Sequence, residues 1–477
     1  MSENIEEENE YESNTEPEKA ENEDYRNFKE EPGDDDGENR NPTERNSVFK
    51  TTLFIIKIMI GAGILNLPLI IKTYGLIGGI LLGLCLTFVS MNVSYFLGRT
   101  KKITQRYSYA VYSKMMFGTC GSIILKGILV VLIGTVVAVQ LIIFGEVLKG
   151  LSFLFTESLS QKMLIVIIAI ILLPFMFQKD VSGLSKFAYV GIICICIFYS
   201  MTVLLFIHKF LNNELKWNEV NLFPHAETVD YFKCIGGYYN GIAYQLSYFS
   251  YYLPLKPRNN KNMLKASGFA TLSTIIIYTS FGILFYLMYG NSINDSALKI
   301  LQDEFKSSIR KKDTFNIVIL VISFLSFLVN ASVSSMTYFY FCKSHLIGVI
   351  KIIVKKFKYG KKEKEIELVE INGETSYREI KSDDQKENNE ILTPFTENII
   401  TFLSYGCSFI LSVSFEKIIS IESFNGSTFS NLIHITFPCV FYLYFSKGSK
   451  FYLEKFLASV ITIFGLSLIG LYFYFLF

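Results

Sequence analysis

Histidine, tryptophan and paired cysteines are scarce in this chain of 477 residues, and each scarcity excludes a class of function. The four histidines (His208, His225, His345 and His434) share no metal-ligand spacing. None of the eight cysteines forms a Cys-x-x-Cys, and seven (Cys85, Cys120, Cys194, Cys196, Cys342, Cys407 and Cys439) fall in or beside apolar blocks. They read as small apolar packers, not as a disulfide frame or a metal site. No Ser/His or His/Asp pair stands within the apolar blocks, which argues against an intramembrane enzyme such as an acyltransferase. A repeated filter segment and ring-forming acids, the marks of a channel, are also missing. Neither a cofactor nor a nucleic-acid partner is expected.

What the chain does have is hydrophobic sequence, 51% of its residues. It comes in blocks of about twenty, the length that crosses about 30 Å of hydrocarbon at 1.5 Å per residue. The expected class is an all-α polytopic membrane protein with about eleven transmembrane helices. The spans are expected near 48–71, 75–98, 121–148, 162–177, 184–208, 231–253, 266–289, 314–341, 397–418, 427–446 and 452–475. Residues 1–46 differ in kind, with eighteen acids against five bases and almost no aliphatics. They cannot bury enough surface to offset chain entropy and read as a disordered acidic tail, not a signal peptide.

Lys and Arg orient such a chain because they resist translocation. The basic connections are 99–106 (Arg99, Lys101, Lys102, Arg106), 254–265 (Lys256, Arg258, Lys261, Lys265) and 343–364, which holds eight lysines. They follow spans two, six and eight, all on one side, so the amino terminus is expected in the cytoplasm and Phe477 on the outer or lumenal face. Two sequons, Asn294-Asp-Ser and Asn425-Gly-Ser, are expected on that outer face. Segment 344–392 is expected as the one long cytoplasmic loop.

The first block raises a specific question, since "IKIMIGAGILNLPLIIKTYG" (56–75) places Lys57, Gly61-Ala-Gly63 and Pro68 inside one span. Proline removes a backbone donor, and an unpaired charge at such depth costs several kcal/mol. A helix that unwinds at 61–63 offers free N–H groups and a half-helix dipole to a carboxylate. Its first half offers carbonyls to an ammonium or a cation. One broken helix thus presents both complements of a zwitterion, and an amino acid is the commonest zwitterion to move. A transporter built from an inverted repeat should break a second span in the equivalent place. The sixth span, "YFKCIGGYYNGIAYQLSYFSYYLPL", carries Gly236, Gly237, Asn240, Gly241 and Gln245 among tyrosines and ends at Pro254.

On "KIMIGAGILNLPLIIKTYG" and "NGSTFSNLIHITFPCVFYLYF" (425–445) the chain resembles the amino acid/auxin permease family. Weaker matches are "FG" at 117–118, "FGEVL" at 144–148, "LP" at 173–174 and "YG" at 289–290. The resemblance runs from about 48 to 475 and implies a five-plus-five inverted repeat of the leucine-transporter type with an eleventh helix. The corresponding layout is tail 1–46 and transporter domain 47–477. Within that domain 48–208 is the first repeat, 231–446 the second and 452–475 the eleventh helix. Lysine in place of the asparagine of sodium-coupled members implies a closer likeness to the sodium-independent, proton-coupled and vacuolar branches. Lys57 would then fill or neutralise the cation position, as a fixed charge or as a titrating group.

The resemblance puts the substrate-proximal region at Ile60, Gly61, Ala62, Gly63, Ile64, Asn240, Gly241, Ile242, Tyr244 and Gln245. Ion coupling would fall to Lys57, Ser326, Asn330, Ser332 and Ser334, the last four on span eight and facing span one. Two prolines usual in that span are replaced by Met336 and Phe341. Glu146, where the family often has an acid, reads as a gating or relay group or as a hydrated interfacial acid. Lys72 reads as snorkelling to the outer headgroups. The expected function is secondary active transport of small neutral amino acids by alternating access, coupled to protons or to no ion. The expected partners are an amino-acid substrate, protons and the lipid bilayer of a plasma or vacuolar/lysosomal membrane. The rival is an amino-acid sensor that signals through the tail and the 344–392 loop with little flux.

Overall fold

The computed structural model describes residues 46–156, 159–177, 184–224, 228–359, 392–415 and 418–476. The expected acidic tail and most of the long loop lie outside them. The fold is helical, and among the described residues six helices are long and apolar enough to cross a membrane: Ala62–Thr104, Tyr109–Ser152, Val190–Leu211, Asn260–Ser292, Thr314–Val354 and Tyr452–Phe475. The other spans are short, more polar or interrupted. Span four is the apolar helix Gln161–Met176, and span nine is Pro394–Ser414. Large apolar side chains such as Leu81, Phe88, Ile170, Phe269 and Ile276 stay exposed on the outside of the bundle, as lipid-facing residues should.

Span one is the discontinuous one. Helix Val48–Met59 stops at Ile60, a 3₁₀ turn covers Ala62–Asn66, and a second helix starts at Leu67 with Pro68 in its first turn. Proline fits there because the first-turn N–H has no partner to lose. This second helix runs on to Thr104 through Gly75, whose φ of 73° and ψ of 170° turn span one into span two. That backbone region is essentially closed to any residue with a Cβ. Span six repeats the pattern: Thr228–Ile242, a 3₁₀ turn Gln245–Ser247, then Tyr248–Tyr252.

Span two packs along span seven, span three along span eight and span four on span nine, while the span-one turn sits against span six. Spans one to four thus each meet the one five places on, while span five packs on span eight instead of span ten; four such pairings are the pattern of a five-plus-five repeat.

Two boundaries and one sequon differ from expectation. Span eight continues without a break from Thr314 to Tyr359, so the loop expected from 344 starts later. No proline occurs in that stretch, Met336 and Phe341 included, and the basic segment after 343 keeps an apolar stripe. Span ten starts earlier, at Ile418, and includes two π-helical segments, Gly426–Ser430 and Leu432–Thr436, before Phe437–Phe445. Asn425 is therefore no exterior sequon: it is buried in the span, and its amide donates to the Leu132 carbonyl at 3.4 Å. Asn294 does remain exposed.

At Gly75 a methyl group would also lie 2.6 Å from the Phe223 carbonyl oxygen. Gly75→Ala should therefore cost about 1–3 kcal/mol, read as a lower melting temperature of the purified protein in detergent.

Candidate functional site

The two breaks face each other. A Cβ built on Gly63 would stand 2.6 Å from the Gly241 Cα, so only glycine allows the two backbones to approach this closely. Tyr278 of span seven, fully buried, fastens both: its hydroxyl lies 2.7 Å from the Met59 carbonyl and 3.2 Å from the Gly241 carbonyl. Gly61 is different, because a Cβ there would meet nothing within 4 Å. At the start of the 3₁₀ turn the Gly61 N–H faces the Tyr278 hydroxyl, and the N–H groups of Ala62 and Gly63 have no ladder partner. They stand where a carboxylate could take them. Ile60, Ile64 and Ile242 are buried beside them and supply apolar wall. Asn66 closes the turn with both side-chain polar atoms buried and unpaired.

The other residues expected here divide. Asn240 is half-buried and donates its amide to Glu422 of span ten. Tyr244 and Gln245 turn away to span two. The Tyr244 hydroxyl pairs with Ser94, and the Gln245 amide donates to the Ser90 hydroxyl at 2.7 Å and accepts the Tyr244 N–H at 3.1 Å. These two residues satisfy the polar groups that the sixth-span break frees, so the structure gives them a fastening place instead of a pocket wall.

The set expected for ion coupling also separates. Lys57 and Asn330 converge on one notch, at Gly191 of span five: the Asn330 Oδ1 would lie 3.0 Å from a Cβ on Gly191, and the Lys57 Cε 3.9 Å from it. Among the described residues no acid or carbonyl pairs with the Lys57 ammonium. Ser326 and Ser332 donate to carbonyls of their own helix, Ser323 and Leu328. Span eight packs chiefly on spans three and five, not on span one as expected. Ser334 is half-buried on the same helix.

The ends of the bundle are covered. On the expected outer side, Glu146 is fully buried, not hydrated. It accepts from Ser296 Oγ at 2.8 Å, and its backbone carbonyl accepts from Gln302 at 2.7 Å, which seats the surface helix Ala297–Lys311 on span three. Lys72 also differs from expectation, since its ammonium binds the carbonyls of Asn291 and Ile293 at 2.8 and 2.6 Å. On the expected inner side, Asn46 pairs with the chain after span six through Asn46 N–H to the Pro254 carbonyl (2.6 Å) and Lys256 N–H to the Asn46 carbonyl (2.8 Å).

Residues 44–477 match the family described as "Transmembrane amino acid transporter protein". The chain belongs to that family. The family and the relatives are transporters, not enzymes. Among relatives, the Arabidopsis thaliana amino acid transporter AVT6B is 41% identical over 93 residues, 19% of this chain and 20% of the relative. AAT1 of Plasmodium falciparum (isolate 3D7) is 25% identical over 265 residues, 52% of this chain and 41% of the relative. The chain thus spans less than half the length of either. The crystal structure of MhsT in complex with L-phenylalanine aligns with a TM-score of 0.42 at 13% identity, covering 90% of this chain and 98% of that one.

Tyr278, Glu422 and His434 are members of this site that sequence reasoning missed. His434 accepts the Leu246 N–H at 3.4 Å, and its carbonyl accepts the Tyr239 hydroxyl at 3.1 Å. Glu422 was hidden by starting span ten at 427. With "IISIESF" counted as membrane sequence, an acid at depth is a site signal in its own right.

The two glycines of the break predict a contrast. Gly63→Ala forces backbone apart at Gly241 and should destabilise the protein by about 1–3 kcal/mol. Gly61→Ala, which meets open space, should cost less, and thermal melting of both variants in one detergent checks the order.

Proposed function

We propose that the chain is a secondary active carrier of small neutral amino acids, working by alternating access and coupled to protons or to no ion rather than to sodium. The observation that carries this reading is the meeting of two broken helices at Gly63 and Gly241 beside the open space at Gly61. The free N–H groups of Ala62 and Gly63 take the substrate carboxylate. Carbonyls at the end of the first half-helix take its amine, and the buried Ile60, Ile64 and Ile242 offer apolar wall to its side chain. Family membership and the relatives named as amino acid transporters support the same class of cargo.

Lys57 explains why sodium is not used. Its side chain reaches the Gly191 notch, where the amide oxygen of Asn330 also points, and a fixed ammonium there fills a place that a metal cation would otherwise need. A carrier of this kind sits in a plasma or vacuolar/lysosomal membrane with its amino terminus in the cytoplasm, as the basic connections after spans two, six and eight direct. The repeats are 48–208 and 231–446, rocking against each other.

The test is uptake into proteoliposomes under an imposed proton or sodium gradient, for the wild type and for Lys57→Asn. Proton-driven uptake indifferent to sodium is expected for the wild type, with sodium dependence emerging in the variant. Sodium-driven uptake by the wild type refutes the role given to Lys57. Binding without any uptake refutes the carrier and favours a sensor.

A further inference from the structure

If the carrier is coupled to protons while Lys57 keeps its charge, another group must take the travelling proton. We propose that the Glu422 carboxyl is that group, accepting the coupling proton beside the sixth-span break and releasing it on the opposite face in step with the amino acid. The inference rests on the carrier reading above.

Glu422 lies on span ten with 3% of its surface exposed, one turn before the π segment that starts at Gly426. Its Oε2 takes the Asn240 amide, and Asn240 precedes Gly241, the residue against which the first-span break is pressed. The carboxyl is therefore one side chain away from the backbone proposed to bind substrate. Span ten is held there by close backbone contact between Gly426 and Gly236, and Gly426 also adjoins the Asn240 Cβ.

The groups that face Glu422 supply no positive charge. From span six comes the neutral Asn240, and from spans seven and eight come the phenols of Tyr278 and Tyr338, close enough to feel its charge. The turn Ala62–Asn66, which also adjoins this part of span ten, has no ionisable side chain. The charges of span three point elsewhere: Lys126 toward Gly348 of span eight and Glu146 to Ser296. Among the described residues no Lys, Arg or His pairs with Glu422. A bare carboxylate so placed costs several kcal/mol, and a proton removes that cost.

The surroundings suit both charge states. The Asn240 amide donates N–H to a carboxylate, and after a flip its oxygen accepts O–H from the acid. The wide π turns that follow are a local irregularity at which span ten can shift against span six. The step is balanced: one proton from water on one face forms the O–H bond, that bond breaks when the site opens to the other face, and no bond in the amino acid changes. Glu146 and Asp295 are the other buried acids described, but Glu146 holds the outer cover through Ser296 and Asp295 pairs with Lys299.

The experiment uses the full chain in liposomes with glycine, L-alanine and L-serine as probes and one pH unit across the membrane. With one proton per amino acid, the wild type should reach about tenfold accumulation. Glu422→Gln should fall to a ratio near one and lose its response to the pH gradient, yet still exchange internal for external L-alanine. Glu422→Asp should recover part of the accumulation. Gradient-driven accumulation by Glu422→Gln overturns the proposal. So does loss of exchange in both variants when they purify as monodisperse protein, because the carboxyl would then serve binding or folding. Wild-type exchange without any response to the pH gradient overturns it too. A wild type that neither exchanges nor accumulates any of the three probes defeats the carrier reading itself, and this proposal with it.

Discussion

Inside a hydrocarbon layer each unpaired backbone N–H or C=O costs several kcal/mol, and this chain interrupts two helices halfway across. Three polar side chains in its interior answer that cost directly. Tyr278 reaches two carbonyls at the breaks, Gln245 closes on its own backbone and on Ser90, and the His434 ring accepts the Leu246 N–H. The sixth-span break is answered almost completely from within the protein. The first-span break is answered less fully: Tyr278 meets the Gly61 N–H, but the N–H groups of Ala62 and Gly63 have no ladder partner, next to open space at Gly61. That asymmetry is what favours the first break over the sixth in the binding role proposed above.

The fold was legible because its signals are long and redundant. Blocks of twenty apolar residues announce spans whatever their packing, and glycine pairs with a following proline announce a break. Polar contacts were less legible, since a tyrosine that fastens two carbonyls and one that merely packs look alike in sequence. Tyr244 and Tyr278 show this: the residue expected at the substrate turned to Ser94, and the residue at the breaks came from a span with no special motif. Glu422 escaped for another reason. Hydropathy windows place span edges by average, and a carboxyl near an edge is then assigned to water even when packing buries it completely.

The same blindness to packing affects the charges. Lys57 was visible as an anomaly because nothing near it in sequence could offset it, and the structure brings an amide oxygen, not an acid, to the same notch. Glu146 and Lys72 looked like interfacial groups. Both instead hold loops and a surface helix in place, Glu146 through Ser296 and Lys72 through the carbonyls of Asn291 and Ile293. A charge near a span end reads as solvated unless the neighbouring connection is known to fold back over it.

These covers bear on how the molecule could open. The start of span one is tied to the chain after span six by two hydrogen bonds at Asn46, and its far end is tied by the Lys72 ammonium. Each such bond contributes about 0.5–1.5 kcal/mol, more where a charge is involved. Thermal motion and a modest ligand-binding energy can break a few of them. The contact between Gly63 and Gly241 is a different matter, because it is backbone against backbone in a close-packed interior with the Tyr278 hydroxyl across it. Separating it would expose carbonyls to hydrocarbon and open a void. The cheaper movement keeps the glycine contact as a pivot and releases the half-helices at their ends, one face at a time. On the carrier reading proposed above, the break would then serve both as the binding place and as the joint about which access changes.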